Sequence, residues 1–581
     1  MNNFMTNYEK WLASPNVDEA SKAELRSISG NEDEIKLRFQ GYMEFGTGGL
    51  RAKMGAGTAM MNTYTVAHAT EGVARLIDTL GEGAKSRGVI IGRDSRNNSD
   101  IFARRCAEVL SAHGIKVYLF DGIRPTPELS FGVRHLGCIA GINITASHNP
   151  SAYNGYKLYW EDGSQPTKDN ADKVSAFIAG ADILTDVPSP ADAKEELISI
   201  VGPELDEEFL KCVAGESVYP DVVAKAADSL QIVYTPLFGA GAKHVPEILR
   251  RVGFKHIHTV DAQMAPNGDF PGLDKPNPEY PASFALGIEL AKKVKSDLIV
   301  ATDPDADRVG VMARDKSGQF RCITGNQMGS LLLDYIFTAL KEQNKLPSDA
   351  YAVKTIVTSE MASAICKSFG VELYNVLTGF KFIAEVIRTH EEKGEGTFLL
   401  GYEESYGYMK GQYARDKDSV VASMLICEMA AYYSLRGMTL IDAMDSLYEK
   451  YGYFTEQSAE IYKEGVNGKE QITGMMDALR AKIPEEIGGE RVVNVRDYEA
   501  ETSLDTVSGK VSPTGLPKSN VIYFKTESGN VVVARPSGTE PKIKFYILAV
   551  GTDEADSEKN AASCKASLEK MLGLAPGELR K

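Results

Sequence analysis

The sequence predicts an α/β fold of four domains, three of related α/β type followed by a smaller C-terminal α+β domain. Three observations predict it. At 581 residues the chain is too long for one core, and its length suggests roughly three to five domains. Three successive stretches repeat one order of apolar strand, polar loop and amphipathic helix, the pattern of largely parallel sheets flanked by helices. The last stretch breaks that order, with strands that follow one another and a single closing helix.

The first stretch, about 40–205, holds Gly88-Val-Ile-Ile-Gly, the helical FARRCAEVLSAHG, and the strands IKVYLF and IAGINI. The second starts near LQIVYTPL (230–237), passes through a helix to about Val252 and reaches the strand DLIVAT (297–302). In the third, AVKTIV (352–357) leads into a helix, VELYNV, another helix and TFLLG (397–401). Beyond about 455, NVIYFKT and NVVVA flank a Ser-Gly turn, KIKFYILAV follows, and a helix over about 556–573 ends the pattern. The expected domains are 1–205, 206–324, 325–454 and 455–581, with the acidic, proline-containing stretch 185–210 as a linker.

Composition narrows the partners. A formal charge of −16, from 80 acidic against 64 basic residues, argues against nucleic acid or an anionic membrane as the main partner. An anionic substrate would need a local cluster of Arg, Lys and backbone N–H groups. The seven cysteines (106, 138, 212, 322, 366, 427 and 564) form no CxxC pair, which is reduced, intracellular usage. MNNFMTNYEKWLASP lacks the basic start and apolar core of a signal peptide, so a cytoplasmic location is expected. The apolar run from Val420 to Tyr433 is broken by Glu428 and is too short to span a bilayer.

Chemistry gathers at strand ends, where α/β sheets meet their ligands. Thr145-Ala-Ser147-His148-Asn149-Pro150 follows the strand IAGINI. Ser147 could be a nucleophile, but GxSxG would need glycines where Thr145 and Asn149 stand, so this is no hydrolase elbow. Neighbours on a strand point to opposite sides, which places His148 poorly as a base for Ser147.

Asp303-Pro304-Asp305-Ala306-Asp307-Arg308 lies between the strands DLIVAT and RVGVMAR. Alternate carboxylates suggest a hard cation bound by oxygen. Side chains two apart on a straight strand stand ~6.6 Å apart, too far to share one ion, so the segment must curl, with Pro304 fixing the bend. It is no EF-hand, because Arg308 stands where that loop needs glycine and Arg314 where it needs glutamate. Three carboxylates leave room for a phosphate oxygen, which suits Mg²⁺.

Three further loops complete the set. Arg535-Pro536-Ser537-Gly538-Thr539 offers a guanidinium fork, two hydroxyls and a glycine, the makings of a phosphate clamp. Gly401-Tyr402-Glu403-Glu404-Ser405-Tyr406-Gly407 puts carboxylates and a hydroxyl at a strand end, as sugar hydroxyls require. Lys417, in Arg415-Asp416-Lys417-Asp418, precedes the helical run SVVASMLICEMAAYYS. A helix N-terminus lowers a lysine pKa whereas Asp416 and Asp418 raise it, and the sequence leaves the balance open.

Together, and in this order, these loops resemble the α-D-phosphohexomutase superfamily, in its phosphoglucomutase branch with phosphopentomutase-like members. The resemblance runs from Phe45-Gly-Thr-Gly-Gly-Leu-Arg51 to 535–539. Gly92-Arg93-Asp94-Ser95-Arg96, Asn154-Gly155-Tyr156-Lys157 and Leu377-Thr378-Gly379-Phe380-Lys381 resemble further family segments. It implies three related α/β domains and a smaller fourth around one cleft. It implies a phosphoserine at Ser147, and Mg²⁺ held by Asp303, Asp305 and Asp307 with a phosphoryl oxygen on Ser147. Lys417 resembles the general acid/base, with Lys157 and His148 as supporting candidates, while Arg51 and Arg308 belong to the catalytic set and Arg308 neutralises phosphate charge. Glu403 and Ser405 would hold sugar hydroxyls, with Thr378, Gly379 and Lys381 also on the substrate. Arg535, Ser537, Gly538 and Thr539 would hold the distal phosphate.

The implied reaction interconverts glucose 1-phosphate and glucose 6-phosphate. O1 and O6 lie at opposite ends of the sugar, so direct transfer is impossible. A phosphoenzyme instead donates to the open hydroxyl, and glucose 1,6-bisphosphate, activator and intermediate, turns over before returning its other phosphate. A phosphopentomutase or phosphomannomutase would use the same machinery, and a synthase making glucose 1,6-bisphosphate from another donor is a further alternative. A silent sugar-phosphate sensor would need no nucleophile. Sugar phosphates are the expected partners, with no nucleic acid, no membrane, and a monomer or weak dimer.

Overall fold

The computed structural model describes residues 3–43, 45, 49–463, 467–537 and 541–579. Its contacts divide into two units, Met1–Ile323 with Tyr406–Thr439, and Thr324–Ser405 with Leu440–Lys581.

In the first unit a six-stranded sheet carries the serine loop. Val89–Arg93 lies at its centre, parallel to Val117–Phe120 on one side and to Ala140–Ile144 on the other. Ala140–Ile144 is buried along its whole length, which is why it reads as an unbroken apolar run. Tyr153–Trp160 and Gly49–Lys53 add antiparallel strands at one edge. At the other edge stands Ile198–Val201, parallel to Val117–Phe120, so part of the stretch expected as a linker belongs to the sheet. The helix Thr63–Leu80 starts at Asn62, whose side chain accepts from Thr65 N at 2.9 Å while the Thr65 hydroxyl accepts from Asn62 N at 3.0 Å. This reciprocal cap satisfies two helix-end donors. The helix lays Val66, Val73 and Ile77 into the sheet core.

A five-stranded sheet in the same unit carries the acidic loop. Gln231–Thr235, His256–Thr259 and Leu298–Thr302 are parallel. Leu298–Thr302 then turns back antiparallel into Val309–Arg314, which puts residues 303–308 at the hairpin tip. The helix Ser419–Ser434 is buried over Ser419–Tyr433 and packs on the helices Pro220–Ala226 and Gly241–Arg251. A helix apolar all round belongs inside a core. Glu428, which breaks its apolar run, accepts from Val218 N at 2.9 Å and Tyr219 N at 3.0 Å. Among the described residues no helix is long and apolar enough to cross a membrane.

The second unit begins with parallel strands, Ala350–Thr355 between Glu372–Val376 and Thr397–Glu403. Its eight-stranded antiparallel sheet is centred on Ile522–Thr526, Val531–Pro536 and Lys542–Gly551. Successive residues of Lys542–Gly551 face opposite sides, so Ile543, Phe545 and Ile547 enter one core while Tyr546 and Leu548 enter another. The second core includes Ile356, Val357 and Leu377, which ties the loop 377–381 to this sheet. Three α/β domains and a β-rich C-terminal domain are therefore present, as the repeat pattern predicted.

Candidate active site

Ser147 leaves its strand in the left-handed region, at φ 52°. A serine rarely holds that conformation unless its surroundings fix it. Here Thr145 Oγ1 accepts from Ser147 N at 2.8 Å, and Arg96 gathers the carbonyls of the loop. Arg96 Nη1 donates to Pro150 O and Tyr153 O at 2.9 Å each, and Nη2 donates to Ser147 O at 2.6 Å and to Asn149 O. Asp94 ties this clamp to Thr145, whose hydroxyl donates to Asp94 Oδ2 at 2.6 Å.

The turn at Ser147 corrects the expectation that His148 faces away. Ser147 Oγ lies 3.1 Å from His148 Nδ1, because a left-handed residue breaks the alternation of a strand. Burial, together with the Arg308 and Arg51 charges, lowers the His148 pKa well below its usual range, so its imidazole is neutral.

The Ser147 hydroxyl donates to Asp303 Oδ2 at 2.7 Å across 156 residues of sequence. The acidic loop curls as expected. Ala306 takes φ 53°, and Asp303 Oδ1 accepts from Asp307 N at 3.2 Å and Arg308 N at 3.0 Å. The curl brings one oxygen of each of Asp303, Asp305 and Asp307 within 4.8 Å of the others. All three carboxylates are buried, and Oδ1 of Asp305 and Oδ1 of Asp307 have no hydrogen-bond partner. Burial and the two neighbouring carboxylates push Asp303 well above the usual range. A crowded, buried, all-oxygen set with unsatisfied acceptors fits a divalent metal.

Two lysines border the triad. Lys157 Nζ donates to Asp305 Oδ2 at 2.7 Å and to Asp307 Oδ2 at 2.9 Å. Burial works to lower its pKa, but those carboxylates outweigh burial and raise it. Lys417 Nζ stands 3.0 Å from Asp416 Oδ1 and 3.4 Å from Asp307 Oδ2. Asp418 instead caps the following helix, accepting from Val420 N and Val421 N at 2.7 and 3.1 Å. Burial also works to raise Asp307, but Lys157, Lys417 and Arg308 hold it well below the usual range. Arg308 Nη1 donates to Glu279 Oε1 at 2.8 Å, and Arg51 Nη1 donates to Asn149 Oδ1 at 3.2 Å.

The expected sugar and phosphate loops lie in the second unit. Glu403 is buried, and its Oε1 accepts from Gly379 N at 3.0 Å. Gly379 takes φ 126° at the start of the helix Phe380–Lys393, a conformation that favours glycine. Thr378 Oγ1 is buried without a hydrogen-bond partner, Lys381 Nζ lies over the Phe382 ring, and Ser405 is half-buried in the turn after Glu403. Arg535 pairs with Lys544 across the sheet, and Ser537 N donates to Lys542 O at 2.7 Å. Gly538 and Thr539 lie outside the described residues.

Known proteins resemble this chain over most of its length. Residues 42–183, 207–318 and 324–451 match phosphoglucomutase/phosphomannomutase α/β/α domains I, II and III. A phosphoglucomutase of Staphylococcus epidermidis is 37% identical over 508 residues, 87% of this chain and 90% of that one. A phosphoglucomutase of Staphylococcus aureus is 35% identical over 538 residues, 91% and 94% of the two chains. The chain belongs to the phosphoglucomutase/phosphomannomutase family, within the α-D-phosphohexomutase superfamily. Members of this family are isomerases that transfer a phosphoryl group. Solved structures share the fold. Parafusin (phosphoglucomutase) from Paramecium, in its open form, has a TM-score of 0.66 at 16% identity, covering 92% of this chain and 95% of that one. A Burkholderia thailandensis protein of the same family has a TM-score of 0.64 at 17% identity, covering 92% and 98%.

Within this phosphohexomutase chain, sequence reasoning quoted Asp94 and Arg96 in a family segment without a role. Their adjacency in Gly92-Arg-Asp-Ser-Arg96 was the available signal. The fold also buries a second cluster, Glu128, Asp206 and His244, which no local sequence pattern marks. His244 Nε2 lies 2.9 Å from Glu128 Oε2, without the alignment of a hydrogen bond. Arg124 Nε donates to Asp206 Oδ1 at 2.5 Å, and Lys243 donates to Oδ2. With both Asp206 oxygens taken by cations, the charges balance without a metal, and this is an ion network.

Proposed function

We propose that this phosphohexomutase interconverts glucose 1-phosphate and glucose 6-phosphate through a phosphorylated Ser147 and a glucose 1,6-bisphosphate intermediate. One observation carries the reading: the Ser147 hydroxyl meets the carboxylate of Asp303 at 2.7 Å, so the nucleophile adjoins the acidic triad. Curated phosphoglucomutases at 35–37% identity over most of the chain support glucose as the sugar.

Asp303, Asp305 and Asp307 would hold Mg²⁺, with a phosphoryl oxygen on Ser147 as a further ligand. When bound, the ion supplies positive charge to the transferring phosphoryl group. The sugar hydroxyl attacks phosphorus, and the bond from phosphorus to Ser147 Oγ breaks. Lys417, as the neutral amine, takes the hydroxyl proton and, as the ammonium so formed, returns it to Ser147, so phosphoryl group and proton exchange places. His148 Nδ1, when it carries its proton, donates a hydrogen bond to the released serine oxygen. Lys157 stays charged between Asp305 and Asp307 and holds both carboxylates in place. Arg308 and Arg51 add positive charge for the phosphate. Glu403 and Ser405 would hold sugar hydroxyls, supported by Thr378, Gly379 and Lys381. Arg535 and Ser537 would hold the distal phosphate, with Gly538 and Thr539 from the same motif. The bisphosphate then reorients, and the reverse sequence returns its other phosphate to Ser147.

The reading takes the domains as 1–205, 206–324, 325–454 and 455–581, and the enzyme as a cytoplasmic monomer or weak dimer. The test is turnover of glucose, mannose, ribose and deoxyribose 1-phosphates with a trace of the matching bisphosphate. Glucose 1-phosphate should give the highest kcat/KM, and peptide mass spectra should place one phosphate on Ser147. Full turnover by Ser147→Ala would refute the mechanism, and a faster pentose substrate would reassign the sugar.

A further inference from the structure

Asp305 has a hydrogen-bond partner, Thr126, that neither of its two companions shares. Its Oδ1 has no hydrogen-bond partner, while its Oδ2 accepts twice, from Lys157 Nζ at 2.7 Å and from Thr126 Oγ1 at 2.8 Å. Thr126 also donates its backbone N–H to Asp305 O at 2.8 Å, so it grips this residue by main chain and side chain. The two residues lie 179 positions apart and both are buried.

The direction of the hydroxyl proton follows from a third group. Asn143 Nδ2 donates to Thr126 Oγ1 at 2.8 Å, so that oxygen is already an acceptor. A threonine hydroxyl has one proton to give. With Asn143 pointing its N–H inward, that proton goes to Asp305. Asn143 lies on the strand Ala140–Ile144, which leads directly into the Ser147 loop. Thr126 opens the helix Thr126–His135 of the same domain. The relay Asn143, Thr126, Asp305 thus runs from the sheet of the serine to the hairpin tip of the acidic loop.

We infer that Thr126 is a positioning residue for the metal site, turning Asp305 so that its Oδ1 faces the ion and fixing the acidic loop against the serine domain. The inference rests on the divalent-metal reading of the triad. Groups that orient a metal ligand typically change metal affinity by about tenfold to a hundredfold when removed.

The experiment is Mn²⁺ titration of the full-length, EDTA-stripped enzyme, with free Mn²⁺ followed by electron paramagnetic resonance. Wild type, Thr126→Val, Thr126→Ser and Asp305→Asn are compared. Wild type should bind one ion and Asp305→Asn should not. Thr126→Val, which keeps shape and loses the hydroxyl, should bind about tenfold to a hundredfold more weakly. Thr126→Ser should restore wild-type affinity, and excess Mg²⁺ should recover the kcat of Thr126→Val, which a merely structural defect would not allow. If Thr126→Val does not fold, Thr126→Ala is read in the same way. Equal affinity in wild type and Thr126→Val overturns the inference and leaves the metal reading standing. A wild type that binds no ion overturns both.

Discussion

Lys417 reaches the acidic loop because residue 407 has no side chain: a Cβ on Gly407 would lie 2.1 Å from Lys417 Cδ and 2.7 Å from its Cγ. The glycine therefore makes room for the stem of the proposed acid/base, whose Nζ stands 3.4 Å from Asp307 Oδ2. Gly407→Ala should force Lys417 into another rotamer and lower kcat about a hundredfold, the usual scale for a lost acid/base. Ser147 should still be phosphorylated by the bisphosphate, though slowly. The check is single-turnover phosphorylation beside steady-state rates, and an unchanged kcat would remove Lys417 from the proton transfer.

Arg96 holds the serine loop through four carbonyls while Asp94 faces its guanidinium, with Nε at 3.4 Å from Asp94 Oδ2. Lysine keeps the charge but cannot fork toward four acceptors. Arg96→Lys should fold, and it should phosphorylate at least about tenfold more slowly as the left-handed turn at Ser147 relaxes. Arg96→Ala leaves Asp94 buried and unpaired, which costs about 3–5 kcal/mol. Denaturant unfolding should then rank wild type above Arg96→Lys above Arg96→Ala, and equal phosphorylation rates in all three would deny the clamp its role.

Much of this site was legible because its chemistry is local. Asp303, Asp305 and Asp307 stand at alternate positions between two apolar strands, and buried strands such as Ala140–Ile144 read as apolar runs. The partners of these groups were not legible. Thr126 lies 179 residues from Asp305 and Asp303 lies 156 from Ser147, and no local pattern encodes such pairings. Strand alternation points His148 away from Ser147, but one left-handed residue cancels that alternation, and Ser147 carries no sequence mark of that conformation. Tyr406–Thr439 follows Glu403 and Ser405 in sequence yet packs with the first unit, since a helix apolar on every side does not declare its neighbours.

Metal dependence should follow from the two oxygens of Asp305 and Asp307 that lack a hydrogen bond. EDTA should abolish turnover and Mg²⁺ should restore it. Asp305→Asn should lose turnover with its unfolding midpoint little changed, because the carboxylates crowd one another when no cation is bound. Turnover that persists in excess chelator would remove the metal from the mechanism.

Glu128 gives the stability a pH dependence away from the catalytic groups. Burial pushes its carboxyl from the ordinary 4.5 up to about 7, against the lowering pull of His244. The folded state therefore keeps a proton that the unfolded chain releases between those values. The contribution is full below about pH 4.5 and is lost as pH rises through about 7, an effect of at most about 3 kcal/mol. Asp206 acts in another window: burial opposes it, but the neighbouring Glu128 and the donors Arg124 and Lys243 lower its carboxyl to about 2, so its contribution is lost only at strongly acid pH. Glu128→Gln should lose this dependence, and its Tm relative to wild type should rise steadily between pH 4.5 and 7. A constant Tm difference across that range would mean that Glu128 does not titrate there.

Sugar and distal phosphate should separate in the second unit. Glu403 anchors one carboxylate oxygen to Gly379 N at 3.0 Å, which fixes its direction before any sugar arrives. Arg535 stands on a separate strand of the antiparallel sheet, paired across from Lys544. Replacing a charged acceptor in a desolvated site costs ~1.5–3 kcal/mol, roughly a ten- to hundredfold fall in kcat/KM. That loss depends on which hydroxyls the sugar presents, whereas a guanidinium acts on phosphate charge whatever the sugar. Glu403→Gln should therefore change the ratio of glucose 1-phosphate to ribose 1-phosphate turnover, while Arg535→Ala should weaken both about equally. The measurement is a matched set of kcat/KM values for both substrates in both variants and wild type. If Glu403→Gln leaves the ratio untouched and Arg535→Ala shifts it, the two assignments must be exchanged.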